Sequence, residues 1–205
     1  MKINIHPQNP SARKIQIVTE ILQNGGIIIY PTDTVYAFGC DLRQKKALEK
    51  IARIKGVKPY KANFSLICSD LSNIADFAVV STPVFKLMKK ALPGPFTFIL
   101  KATGAVPKIF QSNKKTIGIR IPENNIPLEL VKALRHPLVT SSIHDDEEII
   151  DYLTNPELIF NKYKVLVDAM IDGGFGKNQP STVIDCTGNE PIIVRQGAGK
   201  TEDIL

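Results

Sequence analysis

Four polar segments carry the side chains that could bind or transform a small molecule. The first, Pro31-Thr32-Asp33-Thr34-Val35-Tyr36, directly follows the apolar run Ile27-Ile28-Ile29-Tyr30. It therefore sets two hydroxyls, a carboxylate and a phenol at the C-terminal end of a buried strand, where α/β folds open their ligand clefts. A plain polar turn is the alternative, since Pro, Thr and Asp also suit turns for conformational reasons, and Asp33 could equally cap a short helix. The second, Arg53-Ile54-Lys55-Gly56-Val57-Lys58-Pro59-Tyr60-Lys61, gathers four cations around a glycine and a proline. That composition can embrace polyphosphate or a nucleic-acid backbone. It lacks the Gly-x-x-x-x-Gly-Lys-Ser/Thr spacing of a P-loop, and a solvated basic loop has the same make-up.

The third segment runs from the glycine-rich Gly173-Gly174-Phe175-Gly176 into Gln179-Pro180-Ser181-Thr182-Val183-Ile184-Asp185, and Arg195 closes the next strand before Gln196-Gly197. Thr, Val and Ile are ordinary strand residues. Arginine at a strand end beside flexible Gly-Ala-Gly suits two-point recognition of an anion, so hydroxyls and a guanidinium could converge there. The fourth, His144-Asp145-Asp146-Glu147-Glu148, invites a metal-site reading. Asp145 with Glu148 three residues on fits a helix-capping pair better, and acids favour a helix start. His6 and His136 stand beside prolines without a spaced ligand partner, so no histidine-based zinc cluster is expected. With no Gly-x-Ser-x-Gly elbow and no cysteine beside an evident histidine, nor is a nucleophilic triad.

The elements that must hold these groups alternate along the chain. Ser11 suits the N-cap of a helix through Gln23, with Ile15, Val18, Ile21 and Leu22 on one side and Asn24-Gly25-Gly26 as its stop. Ile27 to Tyr30 reads as a strand covered on both faces. Ala47, Leu48, Ile51, Ala52 and Ile54 form the buried stripe of a second helix, whose outer side bears Lys45, Lys46, Lys50 and Arg53. A strand is expected at Phe64 to Cys68, and a helix from Thr82-Pro83 to Leu92-Pro93-Gly94-Pro95. Further strands are expected at 96–101, 116–121, 138–142, 165–169, 181–186 and 192–195, and helices at 126–135, 146–153 and 156–161. This alternation predicts an α/β sandwich around a twisted mixed sheet.

The chain has 205 residues, 43% hydrophobic and 22% charged, which suits one globular domain spanning 1–205, and no Gly/Ser or Pro-rich linker divides it. No apolar run nears the roughly 20 residues that cross a bilayer, and the start lacks a signal-peptide pattern, so no membrane partner and a cytoplasmic location are expected. Cys40, Cys68 and Cys186 lie far apart and are expected to be buried free thiols. Residues 1–120 carry 19 basic and 6 acidic side chains, a net of +13, and residues 121–205 carry 7 and 14, a net of −7. A basic face for an anionic partner is one reading, and ordinary solvated charge is the other.

Taken in order, the segments resemble the YrdC/YciO family from about Gly25 to about Gly197. The series comprises Gly25 to Cys40, the basic loop, Leu92-Pro93-Gly94-Pro95-Phe96-Thr97, Gly118-Ile119-Arg120-Ile121-Pro122, Thr140-Ser141-Ser142, Pro180 to Asp185 and Val194-Arg195-Gln196-Gly197. The resemblance implies a twisted mixed sheet with flanking helices around a concave, positively charged cleft that binds nucleotide and double-stranded RNA. It also implies a threonylcarbamoyl-adenylate synthase, which combines L-threonine, bicarbonate and ATP, releases pyrophosphate and serves tRNA modification. By the same carry-over Lys55 and Arg195 would be catalytic, and Thr34, Tyr36, Lys58 and Lys61 would hold substrate. Ser141, Ser181 and Arg195 would hold the nucleotide, with Mg²⁺ riding on its phosphates and no metal held by the protein. Two positions depart from the synthase pattern. Val57 replaces the arginine of Lys-x-Arg, with Lys58 the nearest cation, and Ile143 replaces the asparagine of Ser-x-Asn. Both resemble the YciO branch, for which the alternative is a nucleotide- and RNA-binding protein without efficient synthesis. A further alternative is an interaction protein that merely keeps the fold.

Overall fold

A computed structural model describes residues 1–108, 115–143 and 154–204. The acidic segment 144–148 and the expected helix at 146–153 lie outside the described residues. Helix α1, Ala12–Gln23, turns Ile15, Val18, Thr19 and Leu22 inward, and Ser11 stands at its N-cap without a side-chain capping bond. Helix α2, Lys45–Ile54, buries Ala47, Leu48, Ile51 and Ala52 and leaves Lys45, Lys46, Lys50 and Arg53 exposed. A short α3, Ile74–Phe77, was not expected. Helix α4, Thr82–Ala91, has Pro83 in its first turn, where no internal donor is lost. In α5, Asn125–Leu134, the Asn124 side chain accepts the Ile126 N–H at 3.0 Å, and in α6, Pro156–Tyr163, Asn155 accepts from Glu157 at 2.9 Å. No helix among the described residues is long and apolar enough to cross a membrane.

Among the described residues, eleven strands form one twisted, mixed sheet. They are β1 Lys2–Asn4, β2 Ile28–Tyr30, β3 Ala37–Asp41, β4 Ser65–Ile67, β5 Ala78–Val79, β6 Phe96–Ala102, β7 Thr116–Arg120, β8 Leu138–Ser142, β9 Ala169–Asp172, β10 Thr182–Asp185 and β11 Ile192–Arg195. The order across the sheet is β1-β9-β2-β3-β8-β4-β7-β6-β10-β11, with β5 beside β6. Pairs β1·β9, β2·β9, β4·β7 and β6·β10 are parallel. The strand expected at 165–169 is not formed there. Helix α6 runs to Tyr163, Val165 is 84% exposed, and the pairing residues are Ala169 to Asp172. The buried strand β3 was not expected. It pairs with β8 from Ala37↔Ser142 to Asp41↔Leu138.

Strand alternation divides the interior. On one face Ile29, Phe38, Leu66, Phe98, Ile119 and Ile184 run across nearly the whole sheet beneath α2, α4 and α6. On the other, Ile28, Tyr30, Ala37, Ile67, Leu138 and Ile171 pack under α1 and α5. That second layer stops short, which leaves room for the site. The three cysteines are free, Cys40 and Cys68 buried as expected and Cys186 only partly so, and burial pushes the Cys68 thiol up to about 12 and the Cys186 thiol up to about 11, so neither of these two is a ready nucleophile.

Candidate functional site

On the second face, β4, β7, β6 and β10 continue the sheet beyond the apolar layer. Most of the alternate residues shown there are small, hydroxylic or cationic, namely Ser65, Thr116, Gly118, Arg120, Thr97 and Ser181, with Ile99 and Val183 as apolar members of the same face. Among the described residues no helix covers them. They floor a cleft of about 890 Å³, walled by the α2–β4 connection on one side and by Val194 and Arg195 on the other. Gly118 keeps the floor shallow. A Cβ there would lie 2.2 Å from Ser65 Oγ and 3.1 Å from the Thr97 methyl carbon. Four cations line the cleft, Lys55, Lys61, Arg120 and Arg195, and among the described lining residues there is no carboxylate.

Each cation is placed by a different element. Lys55 caps the C-terminus of α2, and its Nζ donates to Ser142 O at 2.5 Å, tying the basic loop to β8. Lys61 ends the 3₁₀ turn Pro59–Lys61, and Ser141 Oγ donates to Ala62 O at 2.9 Å just beyond it. Arg195, at the end of β11, reaches inward, with Nε and Nη2 donating to Ser181 O at 3.2 and 2.8 Å. Burial, and then the Arg120 charge, lower its proton affinity from the ordinary arginine value. Ser181 Oγ and Thr97 Oγ1 share a hydrogen bond of 2.9 Å across the parallel β6·β10 pair.

The structure thus gathers Lys55, Lys61, Ser141, Ser181 and Arg195 around one space. Lys58 is exposed and does not line it. Thr34 and Tyr36 lie behind the wall. Thr34 Oγ1 accepts from Arg120 Nη2 at 2.7 Å, while Tyr36 OH donates to Gly174 O at 2.6 Å and accepts from Gly173 N–H at 3.3 Å. Burial raises the Tyr36 phenol well above its ordinary value, so it stays protonated. Ile143 is 1% exposed within the apolar layer of the first face, so its side chain turns away from the cleft.

Arg120 was not singled out from sequence, nor were Ser65, Thr97 and Thr140. Their signal was the period of two in each strand, with Thr116, Gly118 and Arg120 sharing a face opposite the apolar Ile117 and Ile119. Arg120 forms a buried salt bridge with Asp33. For a metal, the donor set is poor. No three His, Cys, Asp or Glu converge among the described residues, so a divalent ion would have to arrive on a ligand's own oxygens.

The Sua5/YciO/YrdC family model, described as telomere recombination, matches residues 20–197. The chain is 41% identical over 203 residues to the uncharacterised protein YciO of Escherichia coli, covering 98% of this chain and 97% of that protein. The crystal structure of E. coli YciO superposes with a TM-score of 0.93 at 40% identity over 100% of this chain and 99% of the other. P. abyssi Sua5 complexed with L-threonine shares the fold, with a TM-score of 0.89 at 24% identity over 100% of this chain and 59% of that one.

Proposed function

Because the chain belongs to the Sua5/YciO/YrdC family, we propose that its cleft binds an adenine nucleotide with L-threonine and forms threonylcarbamoyl-adenylate, the intermediate used in tRNA modification. The observation that carries this reading is the lining itself: four cations over a hydroxyl floor, without a carboxylate among the described lining residues. Such a surface suits a polyphosphate and a substrate carboxylate together.

The chemistry needs no protein nucleophile. The threonine amine nitrogen forms a bond to the bicarbonate carbon, a carbon–oxygen bond of bicarbonate breaks and water leaves with an amine proton, giving a carbamate; a carbamate oxygen then forms a bond to the α-phosphorus of ATP, the bond to the β-phosphate oxygen breaks, and pyrophosphate leaves. Alignment and charge stabilisation are what the protein must add. Lys55 and Arg195 would stabilise the transferring and departing phosphoryl groups, and Ser141 and Ser181 would orient the nucleotide. Lys61 would face the threonine carboxylate, and Thr34 and Tyr36, bonded to Arg120 and to the Gly173-Gly174 turn, would shape the end of the cleft for the amino acid. Lys58 would meet only a ligand extending past the rim. Mg²⁺ bound to the phosphates would offset their charge.

Incubation with ATP, Mg²⁺, labelled bicarbonate and L-threonine is expected to give threonine-dependent pyrophosphate and a labelled adduct. Loss of threonine dependence overturns the synthase reading. A second reading, binding of nucleotide and of tRNA or double-stranded RNA without efficient synthesis, is favoured by Val57, which lines the cleft edge where a cation would help the phosphates. It requires RNA affinity that falls steeply with salt, and salt-insensitive binding rejects it.

A further inference from the structure

Thr140 is a cleft hydroxyl to which the proposed reaction gives no task, and a residue buried behind the cleft decides how it can act. It sits on β8 in register with Gly39 of β3 on one side and Ser65 of β4 on the other, and lines the cleft while only 5% exposed. Tyr30, the last residue of β2, reaches it across the strand between. Gly39 makes that crossing possible, because a Cβ there would lie 2.9 Å from Cε1 and 3.2 Å from Cδ1 of the Tyr30 ring. The ring passes over β3, and its buried hydroxyl ends 2.7 Å from Thr140 Oγ1.

The direction of each bond is fixed. Phe38 O, a carbonyl that can only accept, lies 3.2 Å from the same Oγ1, so the single Thr140 hydrogen goes there and Tyr30 is the donor in its own contact. Burial raises the Tyr30 phenol above its ordinary value, against the pull of the Thr140 bond and the Arg120 charge, so the donor keeps its proton. With its hydrogen and one lone pair engaged among the described residues, Oγ1 has one lone pair left, and a ligand can meet it only as a donor. The Arg120 charge felt by Tyr30, and the bond from Arg120 to Thr34, set this relay at the end of the cleft assigned above to the amino acid.

We propose that Tyr30 is a positioning residue for substrate selection: through Thr140 it gives the amino-acid end of the cleft a hydrogen-bond acceptor that favours a ligand with an O–H or N–H donor at that point. The inference rests on the reading of that end as an amino-acid site. In L-threonine the donor is the side-chain hydroxyl or the amine. Without the Tyr30 hydroxyl, Oγ1 can satisfy either a donor or an acceptor on the ligand, and the preference fades.

The test is calorimetric titration of the full chain and its Tyr30→Phe variant with three ligands: L-threonine, L-valine, which lacks the side-chain hydroxyl, and 3-hydroxybutanoate, which lacks the amine. Phenylalanine refills the space over Gly39, so the variant removes one hydroxyl and little else. Tyr30→Phe is expected to weaken L-threonine about three- to tenfold, up to the worth of one neutral hydrogen bond. The ligand without the donor group should change by less than about twofold, L-valine where the hydroxyl is that donor and 3-hydroxybutanoate where the amine is. Equal weakening of all three, or of none, overturns the proposal. Thr140→Ser keeps the acceptor and should keep the wild-type preference, whereas Thr140→Val should abolish it. In the Thr140→Val background, adding Tyr30→Phe should change L-threonine affinity by less than about twofold, and a further loss as large as in wild type refutes action through Thr140. Wild type that binds L-threonine but forms no adduct removes the synthase reading and leaves this one. Adduct formation with equal weakening of all three ligands removes only this one, and wild type that binds none of them removes the amino-acid reading and this one with it.

Discussion

One face of one sheet is used in two ways. Under α1 and α5, strands β2, β3, β8 and β9 present Ile28, Tyr30, Ala37, Leu138 and Ile171, all buried. A few strands along, the same face shows Ser65, Thr97, Gly118 and Arg120 to a cleft. The backbone ladder is continuous across the change, and only the side chains at alternate positions differ. Hydroxyls and glycine leave backbone and guanidinium reachable, whereas branched apolar groups demand a helix over them. Each region also holds one buried acid–base pair. Under the helices the His136 imidazole lies 3.4 Å from Asp41, and in the cleft Arg120 meets Asp33. The first ties elements together; the second faces a ligand space.

The contrast can be broken by substitution. The largest effect is expected from Leu130→Ala in α5, fully buried against the sheet: about 2–5 kcal/mol less stable to urea, with ligand affinity of the folded fraction unchanged. A loss below 1 kcal/mol would mean that the helix layer contributes little. Arg195→Ala should do the reverse, cutting adduct formation about a hundredfold while costing about 1 kcal/mol or less of stability. Comparable loss of both would make Arg195 a structural residue. Gly118→Val puts a branched side chain onto Ser65 and Thr97, and about 1–3 kcal/mol of strain is expected along with loss of the nucleotide-induced shift in melting temperature. A retained shift would place the ligand away from the floor.

The smallest effect concerns Asp41. Burial works to raise its carboxyl, but the hydrogen bond with His136 and the Arg43 N–H outweigh it, and the group lies below the ordinary carboxylate value. A depressed carboxyl contributes stability that is fully present above the ordinary value of about 3.9 and disappears as pH falls through the lower folded-state value. Asp41→Asn should therefore flatten the acid limb of a melting-temperature profile. A limb of unchanged slope would show that the pair does not contribute.

Much of this was legible in the sequence because helices and isolated strands announce themselves locally. The stripe of α2 and the Thr82-Pro83 start of α4 follow from residues within a few positions of each other. The failures are of another kind. Val165-Leu166-Val167 has strand composition, but the register that pairs β9 with β1 and β2 lies four residues on and is decided by distant partners. Strand β3 entered the sequence reading only as the end of the Gly25 to Cys40 segment that resembles the family, because its pairing with β8 joins residues about a hundred positions apart. Arg120 sits in the Gly-Ile-Arg-Ile-Pro motif with no local sign of its role, since only the neighbours β4 and β6 show which way its face looks. Ile143 shows the converse: its type suggested a lost donor in the pocket, while its side chain belongs to the core behind.

The parallel pairing of β1 with β9, Lys2 with Met170 at one end and Asn4 with Asp172 at the other, sets the order of events when the chain is made. Strand β1 has no bonding neighbour until more than 160 residues have followed it out of the ribosome. At about 5–20 residues per second that wait lasts roughly ten to thirty seconds, during which β2 and β3 can already pair as neighbours in sequence. Closure of that sheet edge is thus a late, long-range step, of the kind that slows folding.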